Sequence, residues 1–263
     1  VKLAELTSVE VAHNASTTVA LLPIAATEQH GPHLAVSTDC ALVTHIAERA
    51  EAALPQELVL CPSLPYGASH HHLGFAGTLS LSHEVFTQVV VELVESLLQS
   101  GFRRIVLLNG HGGNITPAKQ ALAILSHRHD DTQQPNIALA TYWELGGAAF
   151  TGAPPLESPA LSHACEYETS MMLHLFPERV RFEQASTATR PPTNNYIGWE
   201  EELPACGVTM SKRTHFISSL GSSGRPDLAT ASKGAHLLQS ASAAFITFLH
   251  EFKSWPLMDD LRA

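Results

Sequence analysis

Glu28 and His30 stand two residues apart in the segment Glu28-Gln29-His30-Gly31-Pro32-His33. In an extended backbone, alternate side chains point the same way, so a carboxylate and an imidazole share one side. Such a pair is half of a metal site. Asp39, at the start of the next expected helix, brings a second carboxylate into reach. His111 is flanked by Gly110, Gly112 and Gly113, and glycine lets a backbone turn tightly and come close to a ligand. Carboxylate oxygens mixed with imidazole nitrogens suit Zn, Mn or Fe(II), and a carboxylate such as Asp39 can bridge two ions. A third cluster, His163-Ala164-Cys165-Glu166-Tyr167-Glu168, places a His and two carboxylates at a helix start. Here His163 reads as an acid or base, and Glu166 as a metal ligand or base.

Each piece also has a plainer reading. Asp39, beside Ser37 and Thr38, equally suits a helix cap. His111 equally suits a hydrogen-bonded loop histidine. Glu166 and Glu168 both favour the positive end of a helix dipole. Cys165 reads as a structural thiol, since nothing marks it as activated. Asn109 to Asn114 (NGHGGN) lacks the Lys and the spacing of a phosphate loop. His127 and His129 suit a helix C-terminus, and most of the other histidines are scattered.

The elements that must position these residues follow from apolar spacing. Short apolar runs at Val19 to Ala25, Leu58 to Cys61, Ile105 to Leu108 and Ile137 to Tyr142 read as buried strands. Helical spacing runs from Asp39 to about Ala53, Ser82 to Ser100, Thr116 to about His127, Thr169 to Leu175 and Leu228 to Phe252, with Gly234 a weak point in the last. Residues 186–226 show no periodicity. Strand and helix alternate, which predicts a layered α/β fold: a mostly parallel sheet flanked by helices on both faces, in one domain over 1–263. In such sheets the site lies beyond the carboxyl ends of the strands, where all the polar loops fall.

Composition bounds the partners. The 263 residues carry 15 Lys and Arg against 25 Asp and Glu, a net charge of −10, which argues against a nucleic-acid backbone binder. Hydrophobic residues at 44% and charged residues at 15% exclude a largely disordered chain. The four Cys (Cys40, Cys61, Cys165, Cys206) form no CxxC pair, so reduced thiols are expected. No run approaches a membrane span, and the first residues lack a signal-peptide pattern. A soluble, cytoplasmic protein is the expectation.

Four segments together resemble the creatininase (creatinine amidohydrolase) family. They are Glu28-Gln29-His30-Gly31-Pro32-His33-Leu34 with Thr38-Asp39; Ser69 through His72 to Phe75-Ala76-Gly77-Thr78; Asn109-Gly110-His111-Gly112-Gly113-Asn114; and His163 to Ser170. They occur in the family's order over most of the chain. The resemblance implies a creatininase-like α/β fold, often a homohexamer, with a two-metal site. Glu28, His30, Asp39 and His111 would be ligands, with Asp39 bridging. Gly113 stands where creatinine hydrolases carry a Glu, Gly112 where they carry an aromatic residue, and Ser158-Pro159-Ala160 where they carry a Trp. Cys165 replaces a usual Gly and Ala76 a usual Pro. These departures point to the NGHGGN-type members that act on formamides or peptides, and away from creatinine. The missing ligand role then falls on Glu166.

The implied chemistry is hydrolysis of a C–N amide bond in a cyclic amide, a formamide or a short peptide. Two divalent ions about 3.5–4 Å apart acidify a bridging water, and the resulting hydroxide attacks the carbonyl. His163 is the expected acid to the leaving nitrogen. Ser69 and His72 are expected to orient substrate, and His33 to stand behind a ligand and orient it. The same ligands would also serve a metal-dependent isomerase or lyase on a sugar-like substrate, or a non-catalytic metal-binding assembly protein. Trp143 and Trp199 either line the pocket or simply pack.

Overall fold

The computed structural model describes residues 1–129, 133–192, 208 and 210–261. Its centre is a four-stranded parallel sheet of β1 (Val19–Ile24), β2 (Leu58–Leu60), β3 (Arg104–Asn109) and β5 (Asn136–Thr141), in the order β2-β1-β3-β5. Register is continuous across it: Leu21 pairs with Leu60 and with Val106, and Val106 pairs with Ala138. β4 (Gln133–Gln134) and β6 (Met258–Asp259) form a separate antiparallel ribbon.

Both faces of the sheet are covered, and this explains the unbroken apolar runs. Val19, Leu21, Val106 and Leu108 face one core, built with Leu42 and Ile46 of α2 (Thr38–Ala53), Met171 of α6 (Glu166–Leu175), and Leu237 and Phe245 of α7 (Ala231–Ser254). Ala20, Leu22, Ile105 and Leu107 face the other. That core takes Phe86, Val90 and Val94 from α3 (His83–Gln99), and Ala118 and Leu125 from α4 (Ile115–Arg128). Two short helices complete the described set: α1 (Ser8–Asn14), opened by a Thr7–Glu10 capping box, and α5 (Tyr142–Leu145). No described helix is long and apolar enough to cross a membrane.

Pro23 lies in a central strand, where a missing N–H ordinarily breaks a ladder. Leu21 and Pro23 point their carbonyls toward the β2 side, accepting from Cys61 and Leu64. β2 ends at Leu60, opposite Leu21, so the missing donor falls just past the end of that ladder.

The long final helix begins at Ala231, with Thr230 capping the Lys233 amide. A short 3-10 turn at Pro226–Leu228 precedes it. Gly234 has a packing reason: a Cβ there would sit 2.0 Å from the Ser170 carbonyl oxygen. It is where α7 crosses close against α6. That crossing fixes α6, which begins three residues earlier than its apolar spacing indicates. Cys165 is the N-cap, and Glu166 and Glu168 lie in the first turn. Trp199, Cys206 and the rest of residues 193–207, with 209, lie outside the described residues.

Candidate active site

The loops after the carboxyl ends of the strands converge on one cavity of 320 Å³. Glu28 and His30 follow β1, and Asp39 enters from the first turn of α2. His71 and His72 lie on a short turn after β2, and His111 follows β3. Trp143 comes from α5 after β5, and His163 and Glu168 stand at the start of α6. Glu28, Asp39, His71, His72, His111, Trp143, Leu161, His163 and Glu168 are all on its wall.

The NGHGGN turn is held by its two asparagines. Asn109 accepts the His111 amide through its side-chain oxygen at 3.2 Å. Asn114 accepts from the Ala68 amide at 2.9 Å and donates to the Ala25 carbonyl at 3.0 Å, tying this turn to the ends of two other loops. Gly113 is required by space. A Cβ there would lie 2.3 Å from the Ala68 carbonyl oxygen and 2.4 Å from His111 Nε2.

Asp39 lies between two imidazoles. Its Oδ1 is 3.1 Å from His30 Nε2, and its Oδ2 is 3.4 Å from His111 Nδ1. It therefore faces the cavity histidines, and no side-chain cap closes the N-terminus of α2. Both histidines turn their outer nitrogen to the backbone: His30 Nδ1 to the Glu28 carbonyl at 3.1 Å, and His111 Nε2 to the Ala68 carbonyl at 3.4 Å. A carbonyl only accepts, so these nitrogens carry hydrogen. The inner nitrogens face carboxylate oxygens, and His30 Nε2 hydrogen-bonds Asp39 Oδ1. Glu28 Oε1 is 3.3 Å from His111 Nδ1 and from His72 Nε2, and 3.5 Å from His163 Nδ1. Glu168 Oε2 is 3.9 Å from His30 Nε2 and takes the amide of Ala164, which adopts φ 52°. That left-handed conformation is uncommon outside glycine, and it aims the amide at the carboxylate.

Among the described residues, both oxygens of Glu28 and Oδ2 of Asp39 are buried without a hydrogen-bond donor. Buried charged groups normally have partners, and a carboxylate without one is costly. Oxygens and imidazole lone pairs crowded around one space fit divalent cations. Donor atoms of four triads lie within 4.8 Å of one another: Glu28-His30-Asp39, Glu28-His71-His111, Glu28-His72-His163 and His30-His163-Glu168.

The electrostatics show the same frustration. Burial pushes the Glu28 carboxyl up to about 7 and the Glu168 carboxyl up to about 8. Burial opposes ionisation of Asp39 as well, but His30 and His111 hold it well below the usual carboxylate range. Burial also works against charging His30 and His111, yet the carboxylates beside them raise these imidazoles to about 10 and about 9. His163, packed between the tilted rings of His30 and His72, is driven the other way by burial and by His30, well below its ordinary value.

Three expected residues stand elsewhere. Glu166 does not reach the cavity. It accepts from Lys233 Nζ at 2.6 Å, from the Ser158 amide at 2.6 Å and from the Glu157 amide at 3.1 Å. The reason is helical phase: two residues on a helix are about 200° apart, so Glu166 and Glu168 cannot face one way. Glu168 takes the position expected for Glu166. Ser69 is behind His111, its hydroxyl 3.3 Å from Nε2, and not on the cavity wall. His33 bonds Thr169 on α6 at 2.9 Å and touches no candidate ligand through that nitrogen. His72 and Trp143 do line the cavity. His71, stacked 5.7 Å from His111, and Gln29 were not anticipated. The triplet His70-His71-His72 was the available signal for the first.

Comparison with known proteins adds independent support. The family model described as "Creatininase: Creatinine amidohydrolase" matches residues 4–249. The mycofactocin precursor peptide peptidase of Mycobacterium tuberculosis is 32% identical over 227 residues, covering 82% of this chain and 78% of that one. The 3-dehydro-scyllo-inosose hydrolase of Thermotoga maritima is 33% identical over 178 residues, covering 63% of this chain and 52% of that one. A solved creatininase mutant described as Zn-Zn type aligns at TM-score 0.77 and 25% identity, covering 95% of this chain and 97% of that one. The chain belongs to the creatininase family, and it is a hydrolase.

Proposed function

We propose that this protein hydrolyses the C–N amide bond of a small non-peptide or short-peptide substrate, using two divalent ions held by Glu28, His30, Asp39, His111 and Glu168. The observation that carries this reading is the inward aim of five buried donors. His30 and His111 are oriented from outside by backbone carbonyls and face the two oxygens of Asp39, while neither oxygen of Glu28 has a hydrogen bond of good geometry. Outward hydrogen bonds of this kind set the tautomer of metal-binding histidines. Zn, Mn or Fe(II) is the expected occupant by donor type. Such ions supply Lewis acidity, which polarises a carbonyl and acidifies water.

The chain's own residues do the rest. Trp143 and Leu161 give the cavity an apolar wall that shields a substrate from water. His163 Nδ1 faces Glu28 and stands free to take a proton. His72 Nε2 approaches Glu28 from the other side and holds the carboxylate in place. Gly113 leaves no room for a further carboxylate, and Glu168, from the first turn of α6, supplies it.

Metal analysis followed by an amide panel (cyclic ureides, formamides and short peptides) tests the proposal. Release of an amine and a carboxylate, lost together with metal in Glu28→Gln and His111→Ala, is the expected result. Full metal content and turnover in both variants would refute it.

A further inference from the structure

Gln29 lies between two candidate ligands in sequence, and its side chain is buried among four polar groups. The Gly31 amide donates to its Oε1 at 2.9 Å, and its Nε2 donates to the Gly221 carbonyl at 2.8 Å. A backbone amide only donates and a backbone carbonyl only accepts, so these contacts fix which end of the Gln29 amide is oxygen. The loop closes tightly here: Gly221 has φ 81°, and a Cβ on it would sit 2.2 Å from that oxygen.

The amide nitrogen has two hydrogens, and Gly221 takes one. Two ring nitrogens remain in range, His72 Nδ1 at 2.7 Å and His163 Nε2 at 3.0 Å. His163 Nε2 also lies 2.8 Å from the backbone carbonyl of Gln29. It must therefore carry a hydrogen and donate it there, so it cannot accept one from the side chain. The second amide hydrogen goes to His72 Nδ1, which must be bare. The Thr214 hydroxyl, 2.9 Å from the same nitrogen, agrees, since it too can donate to it.

Both rings thus hold their hydrogen on Nε2, but they face the cavity with opposite ends. His72 turns Nε2–H toward Glu28 Oε1 at 3.3 Å, whereas His163 turns Nδ1 toward the same oxygen at 3.5 Å. We propose that Gln29 is a positioning residue that locks His72 as a hydrogen donor toward the cavity while its backbone carbonyl holds the hydrogen of His163 on Nε2. The positioning role rests on the proposed function, but the ring states do not.

The test is a two-bond proton–nitrogen spectrum of the zinc-loaded, histidine-labelled full chain, with His72 and His163 assigned from single Asn variants. Both rings should appear as Nε2–H in the unmodified protein. A Nδ1–H form of either would overturn the proposal. Gln29→Glu replaces the donor with an acceptor and should convert His72 to Nδ1–H while His163 keeps its state. Gln29→Met should remove the bias on His72 alone. An unchanged His72 in both variants would overturn the assignment to Gln29. On any amide that the unmodified protein turns over, both variants should lower kcat about 10- to 100-fold with metal content retained and KM little changed. If no amide is turned over, the hydrolase mechanism falls, and the spectra still decide the ring states.

Discussion

Two buried carboxylates open the same helix turn, and their surroundings are opposite. Glu166 is fully satisfied. Lys233 neutralises it, two backbone amides bond it, and Lys233 is completed by Glu157 and the Leu228 carbonyl. Burial works against its ionisation, but these partners hold Glu166 below its ordinary value. Glu168 has one backbone donor and otherwise faces His30 and the cavity, and burial pushes its carboxyl up to about 8. A buried ion cluster that closes on itself ties α6 to α7. One that leaves lone pairs open is suited to hold a cation. Burial and charge alone do not separate the two clusters; the count of partners does.

The comparison breaks most visibly if the open cluster is altered. Glu28→Gln, His111→Ala and Glu168→Gln should each lose bound metal and cut turnover by about 10³-fold or more, with unfolding midpoints little lowered. The scale follows from removing the ions' contribution to the barrier, about 4 kcal/mol or more. Metal analysis beside steady-state rates checks this. Gly113→Ala is expected to come next. Its methyl would press on Ala68 and His111, and metal affinity should fall about 10- to 100-fold without removal of any ligand. A competition titration with a chelator reads that out.

The closed cluster should answer in stability. Lys233→Met leaves Glu166 buried and unpaired, which should cost about 3 kcal/mol in denaturant unfolding while metal content stays at the level of the unmodified protein. A normal midpoint would show that the cluster does not hold the helices. The smallest effect is one of pH. The folded value of Glu166 lies below its ordinary 4.5, so its contribution is present above that value and lost as pH falls through the lower folded value. The stability difference between the unmodified protein and Glu166→Gln should therefore shrink below pH 4.5. A difference that grows on acidification would reverse the sign.

Much of this was legible in the residues themselves. The four sheet strands follow from unbroken apolar runs, because both faces of each are covered. The convergence of Glu28, His30, Asp39 and His111 follows from polar loops at one end of a parallel sheet. Glu166 and Glu168 were not separable, because the answer depends on helical phase at a terminus, and the apolar spacing of α6 begins three residues too late to set it. Lys233, which claims Glu166, is 67 residues away in the chain, and no local pattern links them. The role of Ser69 failed for a similar reason. The loop segment was recognisable, but which side of His111 it passes is decided by the Asn114 ties. Gln29 was visible only as the residue between two candidate ligands. Its function depends on the 214–223 segment, which has no periodicity to place it.

The most direct test of the central claim is metal content per chain in Glu168→Gln and Glu166→Gln, purified and loaded alongside the unmodified protein. The account predicts two ions per chain in the unmodified protein and in Glu166→Gln, and a loss of at least one in Glu168→Gln. A full complement in Glu168→Gln with a loss in Glu166→Gln would contradict it.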